Sequence, residues 1–365
     1  MQPIRILSLN LELLGEIDNY LSFSFTRRYH SPGEFEIVTN RKIPYSDKLT
    51  LNNLILLGAQ ACKVGIIRYR EISMNDSGEE ILTVKGFSLE TILRQRITIP
   101  PEGLAYDLQE AAAETVMKHY VQRNCLGIPE MAFPDFTIAA DQNRGISLSW
   151  QSRYKNLADE LEQISLLSGL GWCITLDLSQ KRWVFDVFEG QDRTVNQQDR
   201  SSVIFSPDFD NIQSQDFCDS IIQYGNYAIV AGQGEGTDRL IQTMGSDATG
   251  YLRHVVFVDA RDVVDSAGLI NRGTSALLDL QEALSFQSGI LFSGPFTYQK
   301  DWDVGDIVTI QNRDWGITMD SRITEVTEII EAVGNKLQAT FGNRVPTLNK
   351  RLRSVINQMN NEITR

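Results

Sequence analysis

Four cysteines and three histidines in 365 residues leave little material for redox, metal or imidazole chemistry. Cys62, Cys125, Cys173 and Cys218 are far apart and form no Cys-x-x-Cys pair. Neither a zinc site nor a disulfide framework is indicated, and the four read as buried free thiols of a protein folded in a reducing cytosol. His30, His119 and His254 are equally scattered. No run of about 18 apolar residues occurs, so no segment is expected to span a bilayer. The opening Met1-Gln-Pro-Ile-Arg5 leads into alternating residues rather than a charged and then apolar stretch, so no signal peptide is expected. Basic clusters are scarce too. Arg27-Arg28 and Lys350-Arg-Leu-Arg353 are too small for a nucleic-acid platform, and no aromatic interleaving accompanies them.

What is present is an ordinary globular composition, 42% apolar and 22% charged, with a net charge of −13. At roughly 100–200 residues per domain, the length allows two to four domains and a real core. The charge is uneven: +1 over residues 1–100, −6 over 101–200, −11 over 201–344 and +3 over 345–365. Proteins that grip nucleic acid by counterion release need a basic surface, and the body of this chain is acidic.

The first hundred residues read as β. Ile4–Asn10 is a candidate strand, and Leu21–Arg27 alternates so that Phe23 and Phe25 share a buried face. Glu34–Thr39 follows the Ser31-Pro-Gly33 turn as a hairpin partner, and 62–72 with 81–87 flank Asn75-Asp-Ser-Gly78 as a second hairpin. Such spacing predicts a small antiparallel barrel or sandwich. Ser88–Arg94 reads as a short helix with Leu89, Ile92 and Leu93 on one face. The middle is mixed. Asp107-Leu-Gln-Glu110 looks like a capping box, and Leu108, Ala112, Val116 and Tyr120 predict a helix running to about Gln122. A second helix is predicted from Asn156, its cap, to Ser168, with Leu157, Leu161 and Ile164 inward and Gly169 as stop. Residues 171–178 and 182–188 read as a hairpin. From Val203 the pattern returns to β, with candidate strands 212–218, 221–231, 251–258, 285–292, 304–312, 317–329 and 335–341 and one helix over 266–282. Ile323 to Ile329 alternates like a half-buried, edge-like strand.

The fold expectation is therefore α+β and β-rich: two antiparallel β-barrel-like modules flanking a mixed insert. The boundaries fall at 1–100, 101–205 and 206–344, followed by a C-terminal amphipathic helix over 345–365. In that last segment Leu348, Leu352, Val355, Met359 and Ile363 are spaced 4, 3, 4, 4, nearly two heptads. The stripe either packs on its own domain or forms a self-associating oligomer interface or a partner-bound helix.

No catalytic pattern stands out. There is no Gly-x-Ser-x-Gly elbow. Asp76-Ser-Gly78 matches a short aspartic-protease core but sits in a sequence that favours a turn for backbone reasons. Gly232-Gln-Gly-Glu-Gly236 lacks the Lys-Ser/Thr of a phosphate loop, and Glu235 would repel phosphate, so it reads as a loop between strands. Asp301-Trp-Asp-Val-Gly-Asp306 reads as solvated acids at the start of a strand, with weak divalent-ion binding as the alternative. Paired carboxylates for glycoside cleavage could sit on any β scaffold, but none stands out here.

Several stretches, in order along nearly the whole chain, resemble the Gp37-like siphovirus tail protein family. They include Phe23-Ser-Phe-Thr-Arg-Arg28 before Gly33-Glu-Phe-Glu36, Val84-Lys-Gly-Phe-Ser88, Tyr154-Lys-Asn-Leu157 and Arg182-Trp-Val-Phe185. The strongest are Val258-Asp-Ala-Arg-Asp262, Val304–Asn312, Ile323-Thr-Glu-Val-Thr-Glu328 and Phe341-Gly342. The resemblance implies a structural baseplate or tail-tip hub, a homotrimer of β-barrel modules in a pseudo-sixfold ring. Its implied partners are the distal tail protein ring, the tape measure protein and a spike or receptor-binding fibre, with DNA passing through the channel. It implies no catalytic residue, cofactor or metal, and a place in the virion tail tip after assembly in the host cytoplasm. The alternatives are a tail-associated peptidoglycan hydrolase and the hub of a contractile tail-like bacteriocin. An acidic bore that lets DNA slide would account for the −11 of residues 201–344.

Overall fold

The computed structural model describes residues 2–342 apart from 75, 262 and 293. Seven strands fill the first hundred residues: β1 (Ile4–Leu7), β2 (Leu13–Ile17), β3 (Ser22–Arg28), β4 (Glu34–Asn40), β5 (Leu54–Leu57), β6 (Val64–Met74) and β7 (Glu80–Ser88). Both hairpins read from the turns form: β3 pairs with β4 and β6 with β7, antiparallel. Phe23 and Phe25 are buried, as their alternation requires. The short helix is a 3-10 segment, Leu89–Gln95, with Leu89, Ile92 and Leu93 buried.

The middle holds β8 (Asp107–Ala112), α1 (Ala113–Gln122), β9 (Phe136–Ile138), β10 (Ser147–Ser152), α2 (Leu157–Ser168), β11 (Gly171–Asp177) and β12 (Arg182–Phe188). Helix α2 forms as its sequence dictates. The Asn156 side chain accepts from the amides of Ala158 and Asp159, Leu157, Leu161 and Ile164 are buried, and Gly169 ends the helix at φ 73°. Helix α1 starts later than its four-residue spacing predicts. Residues 107–112 are a strand paired with β10, and Leu108 is exposed. The Tyr120 hydroxyl donates to the carbonyls of Asp107 and Trp150, which ties that strand pair to the helix. A helix continuing back through Asp107 would forfeit the whole ladder.

The last part holds β13 (Asp192–Arg193), β14 (Ile204–Phe205), β15 (Ile212–Ser220), β16 (Tyr227–Ala231), β17 (Ile241–Gly245), β18 (Val255–Asp259), α3 (Ser266–Asp279), β19 (Ala283–Ile290), β20 (Ile307–Asn312), β21 (Ile317–Glu331) and β22 (Gly334–Gly342). The expected strands 221–231 and 251–258 form only over their second halves, and β17 carried no clear sequence signal.

The sheets are not closed barrels. One sheet of 14 strands runs β15-β19-β22-β21-β3-β4-β7-β6-β5-β1-β2, with β13, β14 and β20 attached beside it, and it is open at both ends. The expected separate modules are joined because β3 pairs with β21 from Ser22↔Glu331 to Arg28↔Glu325. Strand β21 is consequently interior, with β22 on its other side, and not the edge its half-polar alternation predicted. Its polar positions are used inside the sheet. Thr327 hydrogen-bonds Thr26 at 2.9 Å, and Glu325 pairs with Arg28 at 2.7 Å. Alternation reports which face a residue takes, not whether a strand has one neighbour or two.

Strand β5 is buried throughout. Leu54 and Leu56 face a core shared with α1 and α2, while Ile55 and Leu57 face a second core within the first sheet. The middle region thus covers one face of the N-terminal strands, and β5 reads as a continuous apolar run for that reason. A third core gathers Tyr29, Phe205, Phe286, Trp302 and Phe341. A small fourth core lies between α3 and the sheet β17-β16-β18, around Val230 and Leu269. Among the described residues, no helix is long and apolar enough to cross a membrane.

Candidate functional site

The stripe singled out from sequence, Leu348, Leu352, Val355, Met359 and Ile363, lies outside the described residues. Within them, polar chemistry concentrates where β3, the 3-10 segment, β11 and the 301–306 loop meet, around a cleft of about 200 Å³ lined by Arg27, Cys62, Glu90, Cys173 and Asp303.

Arg27 stands on the same strand face as Phe23 and Phe25, so alternation carries its charge inward. Its guanidinium donates to Asp303 Oδ1 at 2.6 Å and to the Tyr298 hydroxyl at 2.9 Å. Burial opposes the charge, but Tyr298 and Asp303 outweigh it and hold the Arg27 pKa well above its ordinary value. Burial pushes the Tyr298 phenol up in turn. Beside them, Lys63 forms a buried ion pair with Glu328 of β21 and sits 5.1 Å from the Tyr298 ring centre. Burial lowers the Lys63 pKa, and Glu328 only partly restores it. Glu90 and Cys173 are both pushed up by burial, which for the thiol opposes formation of a nucleophilic thiolate.

Of the 301–306 acids Asp306 is buried, and Asp303, still partly exposed, is held by Arg27. Asp306 accepts from the Gln191 amide at 2.8 Å, from Arg193 Nε at 2.9 Å and from the Asp303 amide at 3.0 Å. The loop is therefore an ion-pair hub linking β13 to β3. Arg27-Arg28 is likewise internal wiring, since Arg28 pairs with Glu34 and Glu325. The available signal was positional and covered Arg27 alone: a charge in register with two phenylalanines on one strand.

Tyr29 completes the junction. Its hydroxyl donates to the Gly169 carbonyl at 3.0 Å and accepts from the Gly190 amide at 3.1 Å, and Arg322 lies 5.0 Å over its ring. A Cβ at Gly171 or Gly305 would stand 2.3 Å from that ring, and Gly305 also holds φ +97°. Glycine is required at both points for close approach.

A second charged group lies on α1. Glu114 is fully buried and accepts from the Arg144 amide, from Arg144 Nε at 2.9 Å and from Lys118 at 2.7 Å. Burial acts to raise its pKa, but Arg144 and Lys118 outweigh it and bring it down to about 2. His119 Nε2 lies 2.9 Å from Asp107 Oδ2. Both groups tie helix to strand or loop.

Of the four cysteines, only Cys125 is fully buried, with its pKa pushed up to about 12 by burial. Cys62 and Cys173 are half-buried, and Cys218 is exposed, contrary to the expectation of buried thiols. Among the described residues, no group of three or more His, Cys, Asp or Glu side chains could hold a metal ion.

These contacts fasten segments together more than they present reactive atoms. The outward-facing features lie elsewhere, on the β17-β16-β18 sheet, where Ile241, Val255 and Phe257 are exposed. The whole chain can be set beside known proteins. Residues 3–343 match the family model described as Siphovirus ReqiPepy6 Gp37-like protein. No curated protein matches. Among solved structures, the chain is similar to the 43 kDa tail protein of prophage MuSo2 from Shewanella oneidensis (TM-score 0.60, 12% identity, 94% of this chain and 98% of that one). It is similar to a tail protein from Neisseria meningitidis MC58 (TM-score 0.57, 14% identity, 94% and 97%). It is also similar to prophage tail protein gp18 from Listeria monocytogenes EGD-e (TM-score 0.54, 11% identity, 100% of both). At these identities the likeness is one of fold.

Proposed function

The chain belongs to the Siphovirus ReqiPepy6 Gp37-like family of phage tail proteins, and on that footing we propose that it is the structural hub of the tail tip. Three copies would close the end of the tail tube, joining the distal tail protein ring and the tape measure protein above to a spike or receptor-binding fibre below. In this reading 1–100 and 206–344 are the two tube-like β modules, 101–205 is the insert between them, and 345–365 is a helix. Leu348, Leu352, Val355, Met359 and Ile363 of that helix would pack near the threefold axis. The role is structural rather than enzymatic, in a virion tail assembled in the host cytoplasm. DNA would pass through a central channel, and the acids of 201–344 would face it and repel phosphate.

The observation that carries the reading is the continuous sheet. Strands from both ends of the chain share one ladder through β3 and β21, with buried ion pairs across the seam. Such a seam suits a part that must hold its shape while a tail is built on it. The test is the solution mass of the purified chain across a range of concentrations, alone and with the distal tail protein ring. A trimer in either condition supports the hub. A monomer in both removes it.

A further inference from the structure

The sheet β17-β16-β18 is covered on one face only. Ala228 and Val230 of β16 are buried with Leu269 of α3, and Met244, Val256 and Val258 pack there too. By alternation, Tyr227, Ile229, Ile241, Val255 and Phe257 take the opposite face. Register places Ile229 beside Phe257 and Tyr227 beside Val255. Val255 is 53% and Phe257 63% exposed. A contiguous apolar sheet face of this kind marks a contact surface.

Of two guanidiniums at the face, one is left to give it its sign. Arg239 lies over the Phe257 ring and is neutralised by Asp259. Arg253 stacks 4.4 Å over Tyr227 and donates to the Ala248 carbonyl at 2.6 Å, and among the described residues no carboxylate pairs with it. The face therefore fits an apolar partner that brings negative charge.

The same chain carries such a partner surface. Strand β15 ends the 14-stranded sheet at Ser220, and Ile221 and Ile222 follow, 58% and 82% exposed. Asp219 is paired with Leu284 and Ser220 with Ala283, so Glu282, two positions before Leu284, is the diagonal neighbour of Asp219 on the same face, and that like charge raises the Glu282 pKa. No Lys or Arg among the described residues bridges that pair. Two carboxyls forced together are relieved by an incoming cation.

We propose that the apolar, arginine-bearing face of the β17-β16-β18 sheet docks onto the Ile221-Ile222 neck and the Asp219–Glu282 pair of a second copy of this chain. Two different patches on one chain make a head-to-tail contact, which closes into a ring when the rotation allows. This inference rests on the hub reading for the number of copies, and it assigns the surfaces that meet.

The test is the mass, by light scattering, of the full chain and three variants: Arg253→Glu, Glu282→Lys and the two combined. The expected result is a trimer for the natural chain, at least a tenfold weaker association for each single variant, and recovery in the combined one. Circular dichroism of each variant separates lost association from lost fold. Glu282→Lys is the safer arm, because Glu282 is exposed and lies in no ion pair among the described residues. If the natural chain is a trimer and both single variants stay trimeric, the assigned surfaces are wrong and the hub stands. If only deletion of residues 346–365 breaks the trimer, the C-terminal stripe holds the copies together and the inference falls. If the natural chain is monomeric even with the distal ring, hub and inference fall together.

Discussion

The β3–β21 seam and the β17-β16-β18 sheet handle charge and apolar surface in opposite ways. At the seam, Arg27, Arg28, Lys63, Asp303, Asp306, Glu325 and Glu328 all find partners within the chain. On the small sheet, Val255 and Phe257 stay in solvent, and Arg253 keeps a charge that no described carboxylate answers. Buried charge is tolerated only when paired, so the seam behaves as internal structure that depends on each member. The small sheet contributes little to its own fold through its outer face and is free to answer to something outside. Mutations should therefore divide sharply between the two regions.

The largest effect is expected at the seam. Glu328→Gln leaves Lys63 buried without its anion, and a cost of about 3–5 kcal/mol in unfolding free energy follows. Urea denaturation measures it, and a loss below about 1 kcal/mol would show that the seam is not held by charge. Next, Glu114 ties α1 to the 139–146 loop by a carboxylate held down to about 2 in the folded chain, against an ordinary value of 4.5. A depressed folded pKa contributes stability that is present above the unfolded value and is lost as pH falls through the folded one. Stability should therefore drop between pH 4.5 and 2, and Glu114→Gln should flatten that limb while weakening the chain at neutral pH. Acid titrations of both proteins followed by circular dichroism decide it. A smaller loss, about 1 kcal/mol, is expected when Asn156→Ala removes the cap of α2. Thermal unfolding of that variant sets a scale for the others. The least effect on folding belongs to the small sheet. Phe257→Ser should change stability by less than about 0.5 kcal/mol, the usual range for a surface site. The same change should weaken association of copies, read by sedimentation. If it unfolds the chain instead, the contrast between the regions is lost.

Local features were legible in the sequence, and distant ones were not. Helix α2 could be read to the residue because Asn156, the Leu157–Leu161–Ile164 spacing and Gly169 all act within a few residues. The hairpins β3–β4 and β11–β12 were readable for the same reason, each being closed by its own turn. Helix α1 was misjudged because Leu108 to Tyr120 keeps a helical spacing, while β10, some forty residues away, claims 107–112 as a strand. The seam left no local trace beyond Arg27 sharing a face with Phe23 and Phe25. Two β regions could be inferred from alternation, though as barrel-like modules, and their fusion into one open sheet is a pairing of distant segments. The acids at 301–306 looked solvated because nothing nearby in sequence announces Arg27 or Arg193. The charged face of the small sheet was missed because Arg253 and Tyr227 meet only after folding.

Strand β3 waits a long time for its partner. Thr26 and Thr327, which hydrogen-bond across the seam, are separated by 301 positions. A ribosome adding about 10 residues each second needs roughly half a minute to cover that distance. Throughout it, β3 has β4 on one side and an unanswered row of amides and carbonyls on the other. Such an edge is a template for wrong pairing, including with another nascent chain. The ion pairs that fix the finished seam arrive last, when β21 emerges, so they do nothing to guard the intermediate. Yield from an expression host should accordingly depend on translation speed and on chaperones that shield strand edges, more than on the stability of the finished protein.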